Sequence, residues 1–220
     1  MSLWVLALAG GIVGLDGTSF PQIMISRPVV AGALMGWALG VPAEGAALGA
    51  IFELFHLGIL PIGASRYPEA GTAIVASVWA YAASGADPGT GFLMAIAFGL
   101  FWERLTGASV VLLRRWNSTI LTLGEPRATP GSIQGRHLLA LAADFGRSAL
   151  VSVVGGLAGA SLVAILVPYW PSDGDVAEGM LHIAGVAVAA GALTIFGGWR
   201  ERWRLVLAGV SAGVLLLAVT

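Results

Sequence analysis

The chain has 220 residues, 57% of them hydrophobic and only 10% charged, with a formal net charge of −1. A soluble domain carries about 25% charged residues, so a water-facing globular surface is excluded, and the near-neutral balance excludes a field that would gather nucleic acid or anionic lipid. There is no cysteine, which removes disulfides and thiolate chemistry, and all eleven bases are arginine.

Taken in order, the apolar stretches are short and broken at first and longer later. A spanning helix needs about 20 apolar residues. Residues 3–15 form an apolar run with no preceding positive charge, so they read as a retained membrane segment rather than a cleaved signal. That run ends at Asp16-Gly17, and the next, 28–41, ends at Val41-Pro42. Residues 45–63 contain Glu53 and His56 and close on Leu60-Pro61-Ile62-Gly63; 70–86 end at Asp87-Pro88-Gly89. The stretch 89–113 is long enough to span but holds Glu103-Arg104, read as a span end near the cytoplasmic surface. A polar loop is expected over 114–136. Then come 138–167, interrupted at Asp144 and Arg147, 179–198, and a short terminal run at 205–219.

This pattern predicts an all-α, polytopic membrane helix bundle, one integral-membrane domain over 1–220. Broken or re-entrant segments are expected over 1–90 and more regular spans over 91–220. Irregular backbone at membrane depth is tolerated only against protein or a water-filled cavity, and transporters place substrate there. Glycine and proline could equally be shaping a bundle. Arginines at 114, 115, 127 and 136, and in Trp199-Arg-Glu-Arg-Trp-Arg204, put those two loops in the cytoplasm, with the acidic loop 168–178 outside. Glycines 32, 36, 40, 45 and 49 recur mostly every fourth residue, predicting a small-residue face for close helix contact with another segment or a partner subunit.

Ionisable groups in a membrane segment cost about 2.5–3.5 kcal/mol each and are candidates for function. The densest cluster is Glu53, His56, Ser65, Arg66, Tyr67 and Glu69. Glu53 and His56, three apart, share a helical face. Carboxylates, an arginine and aromatic rings beside exposed backbone suit a polyhydroxylated ligand. An internal ion pair of Arg66 with Glu69 or Glu53 would account for the same residues. Asp144 and Arg147, at i,i+3, can neutralise each other. Asp16 and Arg27 could be a membrane-buried pair or boundary residues. There is no His-Glu-x-x-His, no Gly-x-Ser-x-Gly and, without lysine, no phosphate loop. No metal, cofactor or catalytic residue is therefore expected.

Over residues 15–75 the sequence resembles the IIC subunits of the mannose/fructose/sorbose phosphotransferase family. The likeness is an ordered string. It runs from Leu15-Asp16 through Met24-Ile25-Ser26-Arg27-Pro28 to Gly40, then Glu44-Gly45, Leu48-Gly49-Ala50 and Phe52-Glu53-Leu54. It continues with Leu57-Gly58 and Pro61-Ile62-Gly63-Ala64 and closes on Pro68-Glu69. The resemblance implies a multi-pass permease of the bacterial inner membrane, in an oligomeric complex with a IID membrane subunit and IIA and IIB phosphocarriers. It would pass a hexose or related sugar to IIB for phosphorylation without being phosphorylated itself.

By the same resemblance Glu53, Glu69 and the loop with Pro61, Gly63 and Ala64 bind the sugar; the residue types themselves add Arg66 holding a carboxylate, Tyr67 against the ring, and Asp16, Arg27 and His56 as accessories. Three positions depart from the family pattern. Glu69 stands where many members have aspartate, His56 where many have tryptophan or another apolar residue, and Gly40-Val41-Pro42 replaces a Gly-Asp pairing. The rival reading is a stand-alone ion-coupled transporter or a solute-sensing membrane subunit.

Overall fold

The computed structural model describes residues 2–57, 59, 67–86, 88–122 and 129–170, and single positions at 185, 203, 204, 207, 208 and 211. Within these residues the chain forms six α-helices and one 3-10 turn, with no strand. They are α1 (Leu3–Thr18), α2 (Pro28–Leu39), α3 (Pro42–His56), α4 (Ala70–Ser84), α5 (Pro88–Thr122) and α6 (Pro130–Leu166), with the turn at Val167–Tyr169. The segments expected at 179–198 and 205–219, and the loop Pro61–Arg66, lie outside the described residues apart from the single positions named.

The lengths separate the two halves. α5 and α6 are long and apolar enough to cross a bilayer. α2 and α3, with 12 and 15 residues, are only about 18 and 22 Å long at 1.5 Å per residue, against a hydrocarbon core of about 30 Å. They fold back on each other as an antiparallel hairpin. Proline opens each helix, where its missing N–H costs nothing, and Gly40 ends α2 in the left-handed region at φ 79°.

The glycine string closes this hairpin on itself. A Cβ on Gly32 would lie 2.9 Å from Gly49 Cα, and one on Gly36 would lie 2.6 Å from Val41 O and 2.8 Å from Gly45 Cα. The two backbones therefore touch, and the small-residue face is an internal seam of α2 against α3.

At the centre stands α4, buried at every residue from Ala70 to Ala80. It runs parallel to α6, with Ala80 against Gly159, Trp79 against Gly156 and Glu69 against Arg147, and antiparallel to α5, with Ser77 against Gly99. α1 lies antiparallel along α6 with a four-residue period. Gly10 faces Ser152, Gly14 faces Ser148, and Thr18 bonds Asp144. The core, including Leu6, Met35, Leu48, Phe52, Ile74, Val78 and Trp79, lies where these helices meet α4. Large apolar side chains such as Trp4, Trp37, Leu112, Leu150 and Ile165 are exposed, as a lipid-facing surface requires.

One expectation is revised. The polar loop begins later and ends sooner than 114–136, because α5 continues to Thr122 and α6 starts at Pro130. Arginine is a good helix former, and α5, about 52 Å long at its 35 residues, extends well past a hydrocarbon core. A capping box joins Thr129 and Ser132 at the start of α6. Glu103-Arg104 does not interrupt the helix. It sits within continuous α5, with Glu103 buried and Arg104 exposed.

Candidate functional site

Two polar clusters lie on either side of the short connection Tyr67–Glu69 that leads into α4. This connection runs hard against α5. A Cβ on Gly107 would collide with Tyr67 O, so only glycine admits the approach. Glu69 N–H donates to Glu103 O at 3.1 Å, and Thr106 Oγ1 donates to Glu69 O at 2.8 Å.

The first cluster joins α2, α3 and α5. Arg27, at the start of α2, forms an ion pair with Glu53 on α3. His56, in the last turn of α3, directs Nδ1 at Phe52 O (2.7 Å) and Nε2 toward Glu103 Oε2 (3.1 Å), the latter without hydrogen-bond alignment. Glu103 Oε1 lies 3.6 Å from Arg104 Nε. The His56 and Glu103 side chains are 10% and 3% exposed. Three buried polar atoms, Glu53 Oε2, His56 Nε2 and Glu103 Oε2, have no hydrogen-bond partner among the described residues. An unmet buried polar atom costs about 1–3 kcal/mol, so this cluster differs from one whose polar groups are all paired.

The second cluster joins α1, α4, α5 and α6 and is saturated. Glu69 caps α4: its Oε1 accepts from Thr72 N (3.2 Å) and its Oε2 from Thr72 Oγ1. Arg147 Nη1 stands 3.6 Å from Glu69 Oε2 and donates to Ser109 Oγ at 2.8 Å. Nη2 donates to Asp144 Oδ1 at 2.9 Å and Ser148 Oγ at 2.8 Å, and Nε adds a bond to Asp144 at 3.1 Å. Thr18 and Ser19 donate to the other Asp144 oxygen. The foreseen i,i+3 pair of Asp144 and Arg147 is present, and it reaches across to Glu69 as well.

The sequence-derived residues thus divide. Glu53, His56 and Arg27 come together, with Glu103 added. Glu69 is 5% exposed, and its carboxylate is engaged by Thr72 and Arg147. Arg66, expected to hold a carboxylate, lies outside the described residues with Pro61, Gly63 and Ala64; among the described residues Glu53 meets Arg27 and Glu69 meets Arg147. Asp16 and Arg27 do not pair. Asp16 accepts from Ile23 N (2.7 Å) and Ser26 N (2.8 Å), pinning a connection in which Gln22 and Met24 adopt positive φ. Such backbone persists only where the surroundings enforce it.

Tyr67 stacks under the Arg114 guanidinium, 5.5 Å from its centroid, and lines a cavity of about 400 Å³ with Pro68, Arg104, Gly107, Ala108, Val111, Leu112 and Arg115. Glu103 was the residue missed as a site member. Its only sequence signal was a carboxylate inside an otherwise apolar stretch.

A family model described as "PTS system sorbose-specific iic component" matches residues 1–197. The chain belongs to this family. It is a IIC permease subunit of a sugar phosphotransferase system, as the resemblance at residues 15–75 implies. A search of curated proteins gives no match to this IIC subunit.

Among solved structures, one titled "Structure of membrane protein" superposes with a TM-score of 0.71 at 20% identity, covering 99% of this chain and 90% of that one. A chain of the mannose transporter ManYZ in complex with microcin E492 superposes with a TM-score of 0.60, also at 20% identity, covering 99% and 86%. At that identity both show a shared fold alone.

Proposed function

We propose that this IIC subunit binds a hexose or related sugar at the first cluster, with Glu53 as principal hydroxyl acceptor. One observation carries this reading: Glu53 Oε2 is buried and unpartnered while Glu53 Oε1 is held by Arg27. An anchored carboxylate with one free oxygen is a preorganised acceptor for a sugar hydroxyl. The loop Pro61–Ala64, which the family resemblance implies, completes the site in this reading together with Arg66 and Tyr67. Glu69 supports it from behind, by fixing the start of α4. Asp16 and Arg27 hold the α1–α2 connection and the hairpin in place.

The chain then acts as one multi-pass domain of a bacterial inner membrane. It assembles with a IID subunit in an oligomer and delivers sugar to a IIB carrier charged through IIA. Translocation moves the α2–α3 hairpin against the α1–α4–α6 scaffold, in the manner of broken-helix transporters.

The test is uptake of a labelled hexose panel into vesicles holding this chain with its IID partner. Soluble carriers and phosphoenolpyruvate are supplied or withheld. Sugar phosphate accumulating only with the complete set is the expected result. Free sugar accumulating under an ion gradient, indifferent to phosphoenolpyruvate, overturns it in favour of ion-coupled transport.

A further inference from the structure

The cavity beside Tyr67 holds positive charge that the rest of the molecule leaves unused. It follows one face of α5, where Arg104, Ala108, Val111 and Arg115 fall in line at i, i+4, i+7 and i+11. Between the two arginines the α5 side of the cavity is apolar, and the space is about 400 Å³. The Arg104 side chain is 69% exposed and turns only Nε toward a carboxylate, Glu103 Oε1 at 3.6 Å. The Arg115 guanidinium has no hydrogen-bond or ion-pair partner among the described residues. Arg114 is occupied differently: it lies over the Tyr67 ring and donates to Tyr67 Oη at 3.4 Å.

Depth gives this charge its meaning. α5 starts at Pro88, directly after the turn that ends α4, and a hydrocarbon core of about 30 Å is crossed by about residue 108 at 1.5 Å per residue. Arg104 then stands about one turn inside the apolar layer and Arg115 about two turns beyond it. The cavity straddles the level where acyl chains give way to headgroups. From its Leu112 and Ala108 a stripe of exposed apolar side chains, Leu105 and Phe101, continues along α5 into the hydrocarbon. The same end of the molecule carries Arg114 and, at the start of α6, Arg136. A basic end marks the side of a membrane whose leaflet is anionic.

We propose that this cavity binds an anionic phospholipid, with Arg104 and Arg115 closing on its phosphate and an acyl chain lying along Leu105 and Phe101. A guanidinium fork matches two phosphate oxygens at once. The long stem of Arg104 lets its charge reach toward the boundary while its methylenes stay among the chains. An arginine without an anion is costly at that depth, and the phosphate supplies one. An acidic protein segment would supply carboxylates but no chain to cover the apolar stripe; a phospholipid fits both halves. Neither arginine belongs to the proposed sugar site, so the two readings stand or fall separately.

The test uses the chain co-purified with its IID partner in detergent and titrated with phosphatidylglycerol or phosphatidylcholine, bound lipid being counted by native mass spectrometry. Phosphatidylglycerol should bind about tenfold more tightly or better, the scale of hydrogen bonds between charged groups. Arg104→Gln and Arg115→Gln should each remove most of that preference, whereas Arg136→Gln, outside the cavity, should keep it. Equal losses in all three variants would mean diffuse attraction to a basic face and overturn the site, as would binding indifferent to the headgroup. Ala108→Trp, at an exposed position, fills the cavity without altering charge and should also weaken binding. Unchanged affinity there would place the lipid elsewhere and overturn the proposal. Inorganic phosphate competing as well as the lipid does would reassign the arginines to a soluble phosphate compound and overturn it too. If Arg104→Gln does not insert, Arg115→Gln and Ala108→Trp decide.

Discussion

The two polar clusters use the same materials, carboxylates and an arginine with small polar neighbours, and they differ in completeness. Around Arg147 almost every donor meets an acceptor: Asp144, Glu69, Ser109 and Ser148 surround one guanidinium, and Thr18 and Ser19 close the far side of Asp144. Around Glu53 and Glu103 three buried atoms are left over. A fully satisfied network rigidifies its surroundings, and a partly satisfied one carries an unmet cost. The saturated cluster ties α1, α4, α5 and α6 into a scaffold. The unsaturated one sits where the short hairpin meets α5. Structure is held where polar groups are used up, and ligand is expected where they are not.

Breaking the saturated cluster should have the largest effect. Arg147→Met strands Asp144 and Glu69 as buried, uncompensated carboxylates. Removing one partner of such a pair costs about 3–5 kcal/mol, so we expect little folded protein by fluorescence-detected size exclusion. Normal yield and melting would show that the network is incidental.

Next comes the seam of the hairpin. Gly36→Leu places a side chain where even a Cβ would be 2.8 Å from Gly45 Cα. Overpacking of this kind costs about 3 kcal/mol, read as a lowered melting temperature and weaker assembly with the partner subunit. An unchanged melt would separate α2 from α3.

On the unsaturated side, Glu53→Gln should spare insertion and melting while weakening sugar binding about ten- to hundredfold. That is the loss of a charged hydrogen bond. Wild-type uptake in a well-inserted variant would remove Glu53 from the site. The smallest effect belongs to neither cluster. Thr129→Ala removes the N-cap of α6, which should cost about 1 kcal/mol and leave sugar affinity untouched. A changed affinity would mean that the scaffold and the site are coupled through α6.

Much of this was legible in the sequence. Broken apolar runs foretold the short helices, and period-four glycines foretold a close seam. The i,i+3 spacings of Glu53 with His56 and of Asp144 with Arg147 gave correct local geometry, because a helix fixes neighbours three apart. What stayed hidden was the pairing over distance. Nothing in the order of residues says that Glu69 meets Arg147, 78 positions on, or that Arg27 faces Glu53. Those choices are made by which helices pack, and packing of small residues reads alike along every one of these segments. The burial of Glu103 stayed hidden for a related reason: Arg104 beside it made the pair read as one polar spot. On a helix, though, adjacent residues point about 100° apart, so one lies buried and the other exposed.

The four-residue alternation between α1 and α6 has a mechanical consequence. Gly10 opposite Ser152, Gly14 opposite Ser148 and Thr18 opposite Asp144 act as the teeth of an index. A slip of one helical turn, about 5.4 Å, would set Asp144 against Gly14 in one direction, or carry it past the end of α1 in the other. In both cases the carboxylate loses the hydroxyls of Thr18 and Ser19. Sliding along this axis therefore has a single permitted stop. Displacement of the α2–α3 hairpin relative to this pair is therefore left to the described connection that enters it, residues 19–27.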